Sequence, residues 1–202
     1  MGTGMWDFCV YGNIFRMKPK LSIVTGNELK FRELTAFLSD FFDCEQKVLE
    51  NYREIQGKSE EIILHKLKAA HEAFGGNVLV DDTALHFDEL NGFPGPYIKD
   101  FISLMPIYEM GMKFAGTRAK VACHLGLSDG KSEPVLAVGT VGGFVIKPEK
   151  INPGIYEFDL YFQIDGTDKP MIDLSIEEKN KFSHRGLALR DLTNKLQYKY
   201  GN

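Results

Sequence analysis

An α/β fold, with a mixed central sheet flanked by helices, is the prediction for this chain of 202 residues, and three observations make it. The first hundred residues alternate short apolar runs with segments of helical period, in the order strand-helix-strand-helix-strand. Two longer strand-like runs follow, an alternating one over 119–127 and a valine- and glycine-containing one over 135–146. A helical segment around 184–199 closes the chain. Alternating elements of this kind build a sheet with crossover helices, and the later strands extend it by a small lobe.

Each element has a local cause. Residues 1–19 read as an N-terminal extension and 20–202 as a single domain. Leu21 to Val24 form a short buried strand, and Thr25-Gly26-Asn27 turn it into a helix that Asn27 can cap. Phe31, Leu34, Leu38 and Phe41 fall on one face of that helix. A second strand runs from Cys44 to Leu49. Ser59 is the candidate cap of a second helix, whose apolar stripe is Ile63, Leu67, Ala70 and Phe74 and whose stop is Gly75-Gly76. Val78 to Val80 are a strand that ends in Asp81-Asp82. In "NGFPGPYIK", Pro96 opens a helix and carries Lys99 one turn in. A Pro-Gly loop at 148–154 precedes the last helix.

Composition narrows the function. Hydrophobic residues at 44% and charged residues at 26% are those of a folded globular protein. A net charge of -4 argues against binding a polynucleotide backbone, and no apolar run is long enough to cross a bilayer. The extension "MGTGMWDFCVYGNIFRMKPK" lacks the apolar core of a secretory leader. Cys9, Cys44 and Cys123 are odd in number and share no metal-ligand spacing, so free thiols in a reducing, cytoplasmic compartment are expected.

The chemistry concentrates at strand ends. In "TGNELK" a glycine-containing turn opens a helix, whose N–H groups and positive dipole end suit phosphate, with Lys30 one turn in. The same arrangement also serves as an ordinary connection, and it is not a P-loop, because GxxxxGK[ST] is absent. Glu54, ahead of the second helix, and Lys66, within it, read alone as solvated charges. The adjacent Asp81 and Asp82 differ, since burying two like charges is costly unless a cation compensates. Carboxylates at the carboxyl end of a sheet strand sit where α/β proteins bind ligands. Oxygen donors without a His or Cys cluster point to Mg²⁺. His65 and His71 fall on different helix faces, so they form no zinc pair. In "EEKNKFSHRGLALRDL", Lys179, Ser183, His184 and Arg185 gather at a break between two helical segments, where Ser183 can be an N-cap.

Taken together, "VTGN", "EIQGKSEEI", "VLVDDTALHFDELNGFPGPYIK" and "EEKNKFSHR", in this order, closely resemble the inosine triphosphate pyrophosphatase family, also called Ham1-like. The resemblance covers nearly all of the chain except the extension. It implies an elongated α/β fold with a nucleotide cleft between two lobes, usually a homodimer. It also implies Mg²⁺-dependent hydrolysis of ITP, dITP and XTP to the monophosphate and pyrophosphate, with Mn²⁺ as a substitute. By the same likeness Thr25, Gly26, Asn27 and Lys30 line the phosphates, Thr83 joins the substrate contacts, and Lys66 and Lys99 neutralise phosphate charge. Glu54, Asp81 and Asp82 hold metal or activate water, with Asp82 and Lys30 catalytic. Phe158 and Asp159 lie at the base, which Lys179, His184 and Arg185 frame. The chain departs from the family pattern at Leu29, Glu157 and Leu160, which keeps a broader nucleotide preference, or a catalytically weak nucleotide-binding protein, as alternatives.

Overall fold

The computed structural model describes residues 18–147 and 158–200. Most of the N-terminal extension with Cys9, Glu157, and the Pro-Gly loop expected at 148–154 therefore lie outside the described residues. The elements begin with β1 (Lys20–Val24), α1 (Glu28–Leu38), β2 (Asp43–Lys47), α2 (Ser59–Phe74) and β3 (Val78–Phe87). They continue with β4 (Pro94–Gly95), α3 (Ile98–Leu104), α4 (Ile107–Lys113), β5 (Arg118–Ser128) and β6 (Val135–Val145). After residue 157 come β7 (Phe162–Ile164), α5 (Ile176–Phe182) and α6 (His184–Tyr200).

The strands form one mixed sheet in the order β2-β1-β3-β5-β6-β7, with β4 paired to β3. β1 runs parallel to both β2 and β3, as expected of strands joined through crossover helices. β4 pairs antiparallel with β3, and β7 antiparallel with β6. The predicted fold class is thus observed.

By its contacts the chain divides into two compact units. Among the described residues, the first comprises 18–82, 124–138 and 188–200, and the second 83–123, 139–147 and 158–187. The first unit packs the stripe Ile63, Leu67 and Ala70 of α2 onto Val24 of β1 and Val78 and Val80 of β3. Phe74, also predicted in that stripe, lies partly buried against the same cluster. Gly126 of β5 leaves room for this contact: a Cβ there would stand 3.3 Å from Val80 and 3.4 Å from Ile63 and Leu67. The second unit has its own core, in which Phe87, Met110, Val121, Val145, Tyr161 and Phe162 are buried together.

Several elements differ from their sequence expectation. Phe41 lies beyond the end of α1 and is 40% exposed, because the helix stops at Leu38 with Ser39 at its cap. Ser59 is the first helical residue of α2, and the capping position belongs to Lys58, whose N–H donates to Glu61 Oε2 at 2.8 Å. β2 ends at Lys47, two residues before Leu49. Pro96 does not open α3, which begins at Ile98 with Lys99 as its second residue. β3 does not stop at Val80; it runs ten residues, through both aspartates to Phe87.

Candidate active site

The site grows from the point where β1 ends. The parallel pairing of β1 with β3 closes at Val24 and Val80, so Asp81 and Asp82 are the first β3 residues beyond the edge of that pair. They occupy the carboxyl end of the parallel strands although β3 itself continues. Both are buried, at 1% and 5% exposure. Such burial requires compensation, and α1 and α2 supply it. Lys30 Nζ stands 3.0 Å from Asp81 Oδ2. Lys66 Nζ donates to the Asp81 carbonyl oxygen at 2.7 Å and lies 3.8 Å from Glu54 Oε1. Thr25, Gly26, Asn27, Lys30, Glu54, Lys66, Asp81 and Asp82 all belong to the first unit.

Lys30 is aimed by the turn before it. The Asn27 side-chain oxygen accepts from the N–H groups of Leu29 and Lys30 at 2.8 and 3.1 Å, and the Asn27 N–H donates to Thr25 Oγ1 at 3.2 Å. Asn27 is therefore the predicted cap. The cap occupies two of the helix N–H groups that the sequence suggested for phosphate, so charge from Lys30 is the larger attraction left there. Thr25 is fixed at both ends, its N–H donating to Lys47 O at 2.9 Å and its carbonyl accepting from Gln46 Nε2 at 3.0 Å. Gly26 has ordinary backbone geometry, and a Cβ there would come no closer than 3.9 Å to Val48. The fold leaves room for a methyl at this turn, so a glycine there keeps the backbone open to a close approach from outside.

Asp82 is the least compensated member. Burial pushes its carboxyl above the ordinary aspartate range, Lys66 and Lys30 pull it back, and Glu54 and Asp81 push it up again. Its Oδ2 is buried and has no hydrogen-bond partner among the described residues. Among those residues no three His, Cys, Asp or Glu side chains cluster as a ready metal site. Asp81 is engaged by Lys30. The donors that fit a hard cation are then the open oxygen of Asp82 and the carboxylate of Glu54. Two carboxylates suit Mg²⁺, which takes its remaining ligands from water and phosphate.

Tyr52, which the sequence reading passed over, also belongs to this neighbourhood. Burial, then the charges of Glu54 and Asp82, push its phenol up to about 12. Its hydroxyl is 3.0 Å from His65 Nδ1. The available signal was an aromatic two residues before Glu54 in "NYREIQG".

The second unit holds the other candidates. Lys179 Nζ meets Asp159 Oδ2 at 2.6 Å, and Lys179 itself is buried. Ser183, His184 and Arg185 are buried at the break between α5 and α6. Ser183 Oγ accepts from the Gly186 N–H at 3.2 Å and so caps α6 as predicted. Gly186 is required sterically, since a Cβ there would run into the Asn180 and Lys179 backbone. Phe158 packs on Phe162, with ring centroids 5.3 Å apart. Leu160 is partly buried against the unit's core. The Thr83 hydroxyl is buried without a hydrogen-bond partner among the described residues. Lys99 is exposed on α3.

Fold and site define a class: mixed α/β proteins with a buried, lysine-flanked carboxylate pair at the carboxyl end of the parallel strands. The chain belongs to the Ham1 family, whose model matches residues 21–195. It is 38% identical to an inosine triphosphate pyrophosphatase of Scheffersomyces stipitis over 187 residues, covering 85% of this chain and 95% of that one. It is 36% identical to one from Emericella nidulans, covering 84% and 92%. Among solved structures, a HAM1 protein from Coxiella burnetii superposes with a TM-score of 0.70 at 20% identity, covering 89% of this chain and 99% of that one. The Staphylococcus aureus Ham1 protein gives 0.62 at 23% identity, covering 89% and 100%. These two likenesses speak to the fold.

Proposed function

We propose that this protein is a Mg²⁺-dependent nucleoside triphosphate pyrophosphatase that hydrolyses the deaminated purine nucleotides ITP, dITP and XTP to monophosphate and pyrophosphate. The observation that carries the reading is the buried Asp81–Asp82 pair at the carboxyl end of the parallel strands, with Lys30 and Lys66 against it. The curated relatives named inosine triphosphate pyrophosphatase support the substrate. The chain is accordingly a hydrolase of nucleotide metabolism.

In the reaction a water oxygen bonds to the α-phosphorus and the bond from that phosphorus to the β-bridging oxygen breaks. Pyrophosphate leaves with the electron pair. Asp82, buried at the carboxyl end of the parallel strands, takes the water proton. Lys30, fixed by Asp81, and Lys66, fixed by the Asp81 carbonyl, offset charge on the departing pyrophosphate. Thr25 and Gly26 offer a backbone turn without a side chain in the way. Glu54 and Asp82 would hold Mg²⁺ or Mn²⁺, which when bound supplies positive charge to the phosphates.

Base choice falls to the second unit, where Lys179, His184 and Arg185 carry donors suited to a 6-oxo purine. An adenine amino group would leave such donors unpaired. Lys99 would add charge toward phosphate. No described helix is long and apolar enough to cross a membrane. A cytoplasmic homodimer completes the proposal.

The test is pyrophosphate release from a panel of nucleoside triphosphates, with and without Mg²⁺. Cleavage of ITP, dITP and XTP well above ATP, only with the metal, is the expected result. Orthophosphate as the product, or preference for ATP, overturns it.

A further inference from the structure

Residues 48–58, between β2 and α2, have no regular secondary structure, yet they carry Glu54. Asn51 sits in the left-handed region with φ 56, which turns the chain just before Tyr52. Glu54 Oε1 lies 3.8 Å from Lys66 Nζ, an ion-pair contact longer than a hydrogen bond. Lys66 is meanwhile engaged by the Asp81 carbonyl at 2.7 Å. Two residues before Glu54, the Tyr52 hydroxyl reaches His65 Nδ1 at 3.0 Å, with the two rings 5.8 Å apart and 35° from parallel.

His65 and Lys66 are consecutive in α2, so their side chains leave the helix about 100° apart. The loop therefore holds the helix at two points, Tyr52 on one side and Glu54 on the next. We infer that Tyr52 is a positioning residue, whose hydrogen bond to His65 docks the 48–58 loop on α2 and so fixes Glu54 beside Lys66. This rests on the pyrophosphatase reading only in its consequence for turnover. His65 is exposed, and a hydrogen bond at an exposed site adds little to folding stability. The bond serves the placement of Glu54, and a misplacement of about 1 Å is enough to slow a reaction strongly.

The experiment compares wild type, Tyr52→Phe, His65→Ala and the double variant by three readouts. The first is kcat and KM for ITP, the second is the melting temperature, and the third is backbone hydrogen exchange in metal-free, nucleotide-free protein. Each single variant should lower kcat about tenfold, with KM and melting temperature unchanged. The double variant should be no slower than either single one, because both remove the same bond. Exchange at the amides of residues 51–57 should rise in all three variants. Unchanged kcat in Tyr52→Phe, losses that multiply in the double variant, or melting temperatures that fall in step with kcat would each overturn the inference. A wild type that releases no pyrophosphate sinks the functional reading instead. In that event the exchange arm still decides, since unchanged protection at 51–57 refutes the docking.

Discussion

The two charge clusters, each built around buried charged side chains, use similar parts and are balanced in opposite senses. In the first unit, Lys30 and Lys66 stand among three carboxylates, Glu54, Asp81 and Asp82, and one Asp82 oxygen has no hydrogen-bond partner among the described residues. In the second, Lys179 is matched by Asp159 at 2.6 Å, while His184 and Arg185 add basic groups to the same buried stretch. A cluster short of positive charge suits a cation carrying an anionic substrate. A cluster richer in basic side chains suits an acceptor such as a purine oxygen. Under the proposed function, the first cluster is the one assigned to the chemistry and the second the one assigned to the base.

The largest expected effect tests the first cluster. Asp82→Asn, nearly isosteric, should lower turnover by about 10²–10⁴-fold, the scale of a lost general base, while the fold survives. The carboxyl is raised in the folded protein, so the native state holds its proton more tightly than the unfolded chain. Stability from this group is then present at low pH and lost as pH rises from the unfolded value through the raised folded one. Asp82→Asn should accordingly raise the melting temperature of ligand-free protein at pH 7 by about 2–4 °C, with a smaller gain toward pH 4. Normal turnover in a folded variant removes Asp82 from the mechanism.

Lys30→Ala comes next. It leaves the Asp81 carboxylate, 1% exposed, without its 3.0 Å partner. Urea denaturation should show a loss of about 3 kcal/mol, as for a broken buried pair. A loss below about 1 kcal/mol would mean the pair is screened like a surface one.

In the second cluster, Arg185→Ala should lose about 1–3 kcal/mol more of kcat/KM for ITP than for ATP, the value of a lost buried hydrogen bond. Equal losses would assign Arg185 to packing or phosphate. The smallest effect sets the baseline: Arg118 and Asp165 form a bidentate pair at 3.2 and 2.7 Å, but both are about half exposed. Arg118→Ala should leave the midpoint of the same urea measurement nearly unchanged, as expected of a solvent-screened pair.

What the sequence disclosed and what it hid follow from the range of the interactions. The Asn27 and Ser183 caps were legible because a cap bonds within three residues of itself. The fold class was legible because apolar period and turn residues are local signals. The full length of β3 was not, since two aspartates ordinarily end a buried strand, and the lysine that offsets one of them comes from a helix fifty residues earlier in "TGNELK". Tyr52–His65 and Asp159–Lys179 join residues 13 and 20 apart, and neither pairing leaves a spacing to read. Asp159 and Lys179 were named by family likeness, which supplied the residues but not their bond. Glu157, the least family-like position near them, lies outside the described residues.

The borders between the two units fall inside continuous elements: within β3 after Asp82, within β5 after Cys123, within β6 after Val138, and within α6 after Leu187. No linker separates them anywhere. The backbone crosses four times, and each time in the middle of a strand or helix. Neither unit can therefore be expressed as a fragment, because no continuous stretch of chain holds all of one unit without part of the other. A gene of this design resists shuffling as modules and must change by substitution. One of its crossings runs between Asp82 and Thr83, so the bond that joins the units is also part of the motif "DDT".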